Sequence, residues 1–292
     1  MCMSMIQSDK PFLSIVIANY NYGNMIGAAI ESVLNQDCDD YELIVVDGNS
    51  SDNSVDVIKK YERYIAWWVS EPDNGQSNAF NKGFAKSTGE FITWLNADDI
   101  LLPGTISAVK KALISHPEAD YATGNFVRFI SGSKIISETT WGPHYLPKWM
   151  QGKGRVNPIY GPTTFWRKEV YKTLGPIDES LHYTMDVDYW ARLTMAGYIQ
   201  VRVNHYCWGF RMHDESKTAE FGQHERSLEI KRIMKNELEL IKNKTGYNPT
   251  KFWRLLSYAM RVFDGSVFRY VFNRACYKGR RLDKAFNIQF TI

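Results

Sequence analysis

The chain has 292 residues, of which 44% are hydrophobic and 23% are charged, a composition typical of a globular protein with one large domain or two modest ones. This profile excludes a disordered chain, a collagen and a coiled coil. The 35 basic and 32 acidic residues leave a net charge of +3, which is too small to indicate nucleic-acid binding.

The cysteines and the start of the chain are typical of a protein of the cytosol. The four cysteines are far apart and form no CxxC pair, so neither a disulfide framework nor a zinc site is expected. The first ten residues lack the basic and then apolar layout of a signal peptide. No apolar run approaches the roughly 20 residues that a membrane-spanning helix needs. We therefore expect a cytoplasmic protein, and the inner face of the membrane is the other expected location.

Strands and helices alternate along the first 116 residues. Continuous apolar runs predict buried strands, and apolar residues three or four apart predict helices. The predicted strands are 12–18, 41–47, 65–69 and 90–96. The predicted helices are 25–34, 51–63, 78–86 and 104–115. This order is typical of the α/β class with a doubly wound, mostly parallel, Rossmann-like sheet.

The pattern changes after residue 117. Strand-like runs at 121–130 and 134–140 flank Ser131-Gly132-Ser133, which predicts a hairpin. Helices are expected near 167–174 and 186–197. An amphipathic helix is expected over 227–242, and its apolar face consists of Ile230, Ile233, Met234, Leu238 and Ile241.

We divide the chain into a catalytic domain, residues 1–225, and a C-terminal helical extension, residues 226–292. The catalytic domain has a nucleotide-binding half, residues 12–116, and an acceptor half, residues 117–225. The 14% of aromatic residues, nine Trp among them, suit either core packing or a groove that stacks sugar rings.

Polar side chains follow three of the predicted strands, where an open parallel sheet binds its ligands. These strand ends read Ala18-Asn19-Tyr20-Asn21, Asp47 to Asp52, and Asn96-Ala97-Asp98-Asp99. Clustered carboxylates need a cation or a ligand to neutralise them, and Mg²⁺ and Mn²⁺ prefer carboxylate and phosphate oxygens. The glycine-rich dinucleotide turn, the P-loop and the nucleophile elbow of α/β-hydrolases are all missing. A metal-assisted nucleotide site therefore fits better than those three classes.

Four segments in order resemble the family 2 glycosyltransferases, which are inverting enzymes of the GT-A fold. They read SIVIANYN, ELIVVDGNSSDNSVDVI, SEPDNGQSNAFNKGFAKSTGEFITWLNADDILLPG and GPIDESLHYTMDVDYWARLTMAG. The first three cover residues 14–104, and the fourth covers residues 175–197. The resemblance implies a nucleotide-sugar donor bound with Mn²⁺ or Mg²⁺ and a saccharide or lipid-linked acceptor.

The resemblance also implies which residues bind the donor. The base packs against the turn after the first strand, and an Asp after the second strand hydrogen-bonds the base or ribose. Further contacts to base, ribose and phosphates come from the third and fourth strand ends. The residues at these places are Ala18, Asn19, Tyr20, Asp47, Asn78, Lys82, Asn96, Ala97 and Asp98. For Asn19, Tyr20, Asp47, Asn78 and Lys82, ordinary turn or helix-start roles are the alternative.

Three residues are implied as metal ligands. Asp98 and Asp99 match the DxD-type element of the family, although Asn96 replaces an acid in that pattern. Asp98 is the better ligand of the two, and the alternative for both is capping of the next helix. His213 stands where relatives often carry a His near the diphosphate or the metal, and the alternative is a His in a surface loop.

An acidic pair at 186 and 188 is implied to supply the general base. Relatives often have Glu-Asp there, so Asp186 aligns with the base and Met185 replaces the Glu. Asp188 has Arg192 four residues later as a helical partner, whereas Asp186 has none. Asp186 is therefore the expected base, and Asp188 is either structural or on the acceptor side.

The acceptor side is implied to include the segment 161–166. Thr164 and Trp166 are expected to face the sugar or the acceptor, and Trp141 is a second choice for a stacking platform. Core packing is the alternative for each Trp.

The stretch 251–284 carries nine basic and two acidic residues among aromatic ones. Such a helical segment binds anionic lipid peripherally, or it docks as a tail with a solvated basic face.

We therefore expect an enzyme that transfers a single sugar. The QxxRW-type signature of processive relatives is missing from residues 180–222. A sugar-nucleotide pyrophosphorylase is a rival, but the turn at 19–23 lacks the basic glycine-rich loop that it needs. A non-catalytic sugar-nucleotide binding protein on the same fold is the other alternative.

Overall fold

The structure is a computed structural model that describes residues 10–130, 134–139, 163–214, 216, 224–246, 268, 272 and 275–291. Its first half consists of β1 (Leu13–Asn19), α1 (Ile26–Leu34), β2 (Tyr41–Asp47), α2 (Ser54–Lys60), β3 (Trp67–Ser70), α3 (Gln76–Lys86), β4 (Phe91–Asn96), β5 (Ile100–Leu101) and α4 (Thr105–Ser115). Its second half consists of β6 (Tyr121–Ile130), β7 (Lys134–Thr139), β8 (Thr164–Arg167), α5 (Lys168–Leu174), α6 (Met185–Ala196), β9 (Gln200–Met212), α7 (His224–Thr245) and α8 (Leu282–Ala285).

The described strands form one nine-stranded sheet in the order β3-β2-β1-β4-β8-β6-β9-β5, with β7 paired to β6. Strands β3, β2, β1 and β4 are parallel, as the alternating pattern predicts. The register pairs Asn19 with Asp47 and Ala18 with Asn96. The three polar strand ends therefore lie side by side at one edge of the sheet, and the predicted α/β fold class is confirmed.

The sequence prediction misses three strands of the sheet. They are β5, β8 and the 13-residue β9, which pairs in parallel with β6 and antiparallel with β5. Strand β9 mixes Arg, Asn and His with aromatic residues, so it shows neither a continuous apolar run nor a clean alternation. The predicted hairpin is confirmed by the antiparallel pairing of β6 with β7, and its turn lies outside the described residues.

The core behind the parallel strands is rich in large aromatic side chains. Trp94, Trp166, Tyr189 and Trp190 are all buried, and their ring centroids lie 5.0–6.4 Å apart. Such aromatic pairs contribute about 0.5–1.5 kcal/mol each beyond their buried area. Core packing, rather than a sugar-stacking groove, therefore accounts for this part of the aromatic content.

The described segments of the C-terminal part pack against the rest of the chain. Helix α7 begins at His224, so the expected domain boundary at residue 225 falls inside a helix. On α7, Leu238 is 44% exposed whereas Glu237 is 5% exposed, so the predicted apolar face is wrong at these two positions. The backbone near Gly279 pairs with β7, and Leu282 is buried against the far end of the sheet.

Candidate active site

The first two strand ends are held together by a network of short polar contacts. Asn21 has a positive φ, and its side-chain oxygen accepts a hydrogen bond from the backbone N–H of Ser51 at 2.8 Å. The backbone N–H of Asn21 donates to Ser50 at 2.8 Å, and that of Gly23 donates to Asp52 at 2.8 Å. Asn and Asp suit such turns because their short side chains satisfy nearby backbone groups. These contacts hold the turns whose neighbouring residues Tyr20, Tyr22, Gly48 and Asn49 line a cavity.

That cavity has a volume of about 660 Å³, within the range of sites that hold drug-sized ligands. It lies at the carboxyl ends of β1, β2 and β4, and the loop before α6 and one side chain of α7 close it. The expected site residues that line it are Ala18, Asn19, Tyr20, Asn96, Ala97, Asp98 and Asp186.

Asp47 lies beneath this cavity rather than on its surface. Its carboxylate is fully buried and accepts hydrogen bonds from Asn19, Ser50 and Ser70 at 2.5–2.6 Å. Both oxygens are therefore engaged within the protein, so the structure places Asp47 as the support of the strand-end turns. This corrects the expectation that its side chain faces the base or ribose of a donor.

Asp98 and Asp99 are adjacent but have opposite surroundings. Asp99 is 1% exposed and accepts hydrogen bonds from the backbone N–H of Arg211 at 2.9 Å and from Asn96 at 3.0 Å. Burial, followed by the charge of Asp98, raises the pKa of Asp99 well above its ordinary value. Asp99 therefore fastens the turn after β4 to β9, which corrects its expected role as a metal ligand.

Arg211 likewise serves the protein interior. Its guanidinium lies 4.8 Å from the ring centre of Phe129 and donates to the backbone oxygen of Asp98 at 2.8 Å. Burial lowers its pKa, although the neighbouring carboxylates oppose that shift. The guanidinium of Arg211 is therefore engaged within the protein.

Asp98 faces the cavity and meets His213 there. The His213 Nε2 lies 3.0 Å from the Asp98 Oδ2, and the edge of the Tyr22 ring packs against the imidazole. A carboxylate oxygen and an imidazole nitrogen are donor atoms that could hold one divalent ion such as Mn²⁺ together. No third His, Cys, Asp or Glu completes a cluster among the described residues.

Asp186 lies in the first turn of α6 and lines the same cavity. Burial raises the pKa of its carboxyl group, while hydrogen bonds from nearby backbone N–H groups oppose that shift. A carboxylate with a raised pKa is a stronger base, and one at a helix start keeps its charge more easily. Asp188 points the other way, is fully buried, and accepts a hydrogen bond from Arg192 Nε at 2.8 Å. These contacts favour the structural alternative for Asp188 over its placement on the acceptor side.

Two residues that were expected to bind the nucleotide-sugar donor, Asn78 and Lys82, do not line the cavity. The Asn78 side chain donates to Glu179 at 2.9 Å, and Lys82 pairs with Glu71 at 2.8 Å and donates to the Pro72 backbone oxygen. Both therefore tie α3 to neighbouring loops, a correction of their expected donor-binding roles.

Thr164 and Trp166 are fully buried in β8 and do not reach the cavity. The strand lies between β4 and β6 in the sheet, so its side chains pack into the core on both faces. Their expected sugar or acceptor contacts are therefore wrong. Trp141 lies outside the described residues.

The structure adds cavity residues that the sequence did not single out. Trp94 reaches the cavity from β4, and Asp73 lies beside Gly48, where a Cβ would stand 2.7 Å from its carboxylate. Gly48 therefore permits a close approach of the second and third strand ends. His182 and Met234 approach from the loop before α6 and from α7. Asp73, Trp94 and His182 lie within the segments that resemble the family, but their residue types alone do not indicate a cavity position, and Met234 comes from a helix distant in the chain.

The family model "Glycosyl transferase family 2" matches residues 14–175. The chain belongs to glycosyltransferase family 2. The predicted resemblance is therefore confirmed, and the matched range includes three of the four segments that carried it.

Curated proteins similar to this chain are named as glycosyltransferases. An uncharacterised glycosyltransferase of Nostoc sp. is 39% identical over 100 residues, which are 33% of this chain and 31% of that protein. An uncharacterised glycosyltransferase of Rickettsia typhi is 28% identical over 62% of this chain and 58% of its own length. The chain thus matches between a third and three fifths of these two relatives. A PGL/p-HBAD biosynthesis glycosyltransferase of Mycobacterium bovis is 26% identical over 61% of this chain and 68% of its own.

Solved structures share the fold of this chain. S. aureus TarS 1–349 gives a TM-score of 0.56 at 17% identity, covering 68% of this chain and 60% of that one. The mannosyltransferase PcManGT from Pyrobaculum calidifontis, in complex with GDP-Man and Mn²⁺, gives 0.56 at 17% identity, covering 80% and 65%. At such identities the likeness establishes the GT-A fold alone. None of the described helices combines the length and the apolar character needed to cross a membrane.

Proposed function

We propose that this family 2 glycosyltransferase moves one sugar from a nucleoside-diphosphate sugar to an acceptor hydroxyl and inverts the anomeric carbon. The observation that carries the proposal is that one cavity is lined by both Asp98, paired with His213, and Asp186. A metal-ligand pair and a carboxylate base in one cavity are the groups that such a transfer requires. The acceptor is a saccharide or a lipid-linked glycan, as in surface polysaccharide synthesis.

The chemistry assigned to the chain is a single displacement. The Asp186 carboxylate takes the proton of the acceptor hydroxyl while that oxygen forms a bond to the anomeric carbon. The bond from this carbon to the diphosphate oxygen breaks, and the diphosphate leaves with the electron pair. Attack opposite the leaving group inverts the configuration. Asp98 and His213 would hold a divalent ion, which when bound stabilises the charge of the leaving diphosphate.

The floor of the cavity supports the donor position. Ala18 and Ala97 have small side chains at the ends of β1 and β4, and Tyr20 stands exposed at the cavity mouth. The amide of Asn96 already accepts from Gln76 at 2.7 Å and donates to Asp99, so in this conformation it shapes the wall. We place the nucleotide over the two alanines and its diphosphate beside Asp98.

The donor is proposed to be UDP-linked. TarS structures were solved with UDP and with UDP-GlcNAc, whereas PcManGT was solved with GDP-Man, so both bases need a direct test. We expect UDP, compared with GDP and dTDP, to raise the unfolding temperature most when Mn²⁺ is present. A ligand at 100 times its Kd adds about 2.7 kcal/mol to the free energy of unfolding.

The measurement is a thermal shift series with each nucleotide, with Mn²⁺ and with EDTA. Mn²⁺ without nucleotide is the control. Equal shifts for all three nucleotides would contradict base selection, and equal shifts with Mn²⁺ and EDTA would contradict a metal-assisted site.

We also propose peripheral contact with anionic membrane through the C-terminal segment 251–284. Phe268 and Phe272 are 68% and 69% exposed, and Lys278 and Arg280 are exposed nearby in the chain. Most of the other basic residues of this segment lie outside the described residues. Aromatic side chains beside basic ones bind anionic lipid, at about 1 kcal/mol per basic residue near the surface.

We expect the full chain to pellet with phosphatidylserine-containing vesicles and not with phosphatidylcholine vesicles. Replacing both Phe268 and Phe272 by Ser should weaken the pelleting. Ile114→Ser, at an exposed position of α4, is the matched control and should leave it unchanged. Equal pelleting of the double variant and the control would count against this contact.

A further inference from the structure

Helix α7 turns one face toward the active-site cavity. Ile230, Met234, Glu237 and Ile241 recur three or four residues apart, and the two isoleucines and Glu237 are buried. Met234 lines the cavity itself, and Ile241 packs against Leu181 and other apolar side chains of the α6 region. A carboxylate in the middle of such a face is costly unless several donors compensate for its lost hydration.

The hydrogen-bond donors that replace the lost hydration of the Glu237 carboxylate belong to three consecutive residues. Its Oε1 accepts from the backbone N–H of His182 at 2.7 Å, and its Oε2 accepts from the backbone N–H of Tyr183 at 3.2 Å. The hydroxyl of Thr184 also donates to Oε2, at 2.8 Å. One side chain of α7 therefore fixes the orientation of the whole turn that precedes α6.

This turn sets where α6 begins. Thr184 is the residue before the first turn of α6, and its backbone oxygen accepts from the N–H of Asp188 at 3.0 Å. Asp186 lies two residues beyond Thr184, while His182 and Tyr183 line the cavity. A second tie to the same region comes from Lys244, which pairs with Asp178 at 2.7 Å.

We propose that Glu237 is a positioning residue, which holds the turn 182–184 so that Asp186 meets the acceptor hydroxyl in line with the donor. The proposal rests on the proposed function, in which Asp186 is the general base. It makes α7 part of the catalytic unit, although its sequence pattern indicates a separate extension. Misplacement of a reacting group by about 1 Å costs roughly 100-fold in rate.

The first variant is Glu237→Gln, which keeps the size of the side chain but turns an NH₂ group toward a backbone or hydroxyl donor. We expect the release of nucleoside diphosphate, with UDP-GlcNAc, UDP-glucose and GDP-mannose as probes and water as acceptor, to fall roughly 10- to 100-fold in kcat. The Kd of UDP with Mn²⁺ should stay within about twofold, since the strand ends that hold the nucleotide do not contact Glu237. Glu239→Gln, at an exposed position of the same helix, is the matched control and should change neither value.

A double-mutant cycle with Asp186→Asn separates positioning from general support of the fold. If Glu237 acts through Asp186, then Glu237→Gln causes no further loss of kcat in the Asp186→Asn background. If Glu237→Gln lowers kcat by the same factor in both backgrounds, or lowers it in neither, the proposal is overturned. Thr184→Val, which removes one of the three donors and keeps the shape, gives the same comparison if Glu237→Gln does not fold.

The two proposals fail in different ways. If Asp186→Asn releases nucleoside diphosphate as fast as the unaltered chain, the assignment of the base is wrong, and with it the positioning role. If Asp186→Asn is slow but Glu237→Gln multiplies that loss, only the role of Glu237 is overturned.

Discussion

Asp186→Asn is expected to lower the rate of sugar transfer by about 10²–10⁴-fold, the usual cost of removing a general base. Asn keeps the shape of the side chain but cannot take a proton from the acceptor. Donor binding should stay near that of the unaltered chain, because the nucleotide is proposed to lie across the cavity on the ends of β1 and β4. Release of nucleoside diphosphate and calorimetric titration with UDP and Mn²⁺ measure the two quantities.

Asp188→Asn is the matched control within the same helical turn. Asp188 is fully buried against Arg192, and its Oδ1 lies 3.7 Å from Lys244. The variant should lower the unfolding temperature, because it leaves the partly buried Arg192 guanidinium without its charge partner. Its transfer rate per folded molecule should be close to normal at a temperature well below unfolding. If Asp188→Asn folds stably but transfers no sugar, while Asp186→Asn remains active, then Asp188 is the general base and Asp186 is not.

The raised pKa of Asp186 gives this prediction a pH dependence. Because burial raises the pKa in the folded protein, the rate should fall on acidification at a pH above the ordinary Asp value of about 3.9. Ionisation of Asp186 has the opposite effect on stability, since it raises the rate but lowers the free energy of unfolding. Above the folded pKa the carboxylate is ionised in a place that disfavours the charge, so at neutral pH it lowers the free energy of unfolding. Asp186→Asn should therefore unfold at the same or a higher temperature, although it loses activity.

Asp98→Asn is expected to abolish metal-dependent nucleotide binding while the fold survives. The side chain faces the cavity beside His213, so its loss removes the charged partner of that imidazole without opening a buried network. An amide is a much weaker ligand than a carboxylate for Mg²⁺ or Mn²⁺. The Kd of UDP, measured with Mn²⁺ and with EDTA, should become the same in the two conditions.

Asp99→Asn is the neighbouring control. Since the Asp99 carboxylate faces the backbone of β9, this variant should retain the difference between Mn²⁺ and EDTA. If UDP binding to the unaltered chain is insensitive to EDTA, the metal site is absent. If Asp99→Asn rather than Asp98→Asn removes the metal effect, the ligand has been assigned to the wrong carboxylate.

The nucleotide-binding half could be predicted closely because its signals are local. Strand β2 has the predicted bounds, and the other three parallel strands differ from prediction by one or two residues at their ends. A buried parallel strand is apolar on both faces, so its own residues reveal it. Strand β9 and the inward Glu237 could not be predicted in this way, since their environment comes from partners more than 50 residues away.

The acidic pair at 186 and 188 shows where the sequence alone sufficed. At 186 and 188 the sequence already separates the roles, because Arg192 stands one helical turn after Asp188 and the structure shows that contact. The family, the fold class and the meeting of the polar strand ends were likewise determined by the sequence. Each follows from neighbours within one element or from the register of adjacent parallel strands.

At 98 and 99 only the tertiary structure decided. The group that engages Asp99 is the backbone N–H of Arg211, 112 residues further along the chain, and the partner of Asp98 is His213. A strand pairing that distant is fixed by burial and hydrogen bonding in the whole sheet, not by local preference. The same reason applies to Trp166 and Asp47: their residue types suit ligand binding, but the packing of the finished sheet buries them.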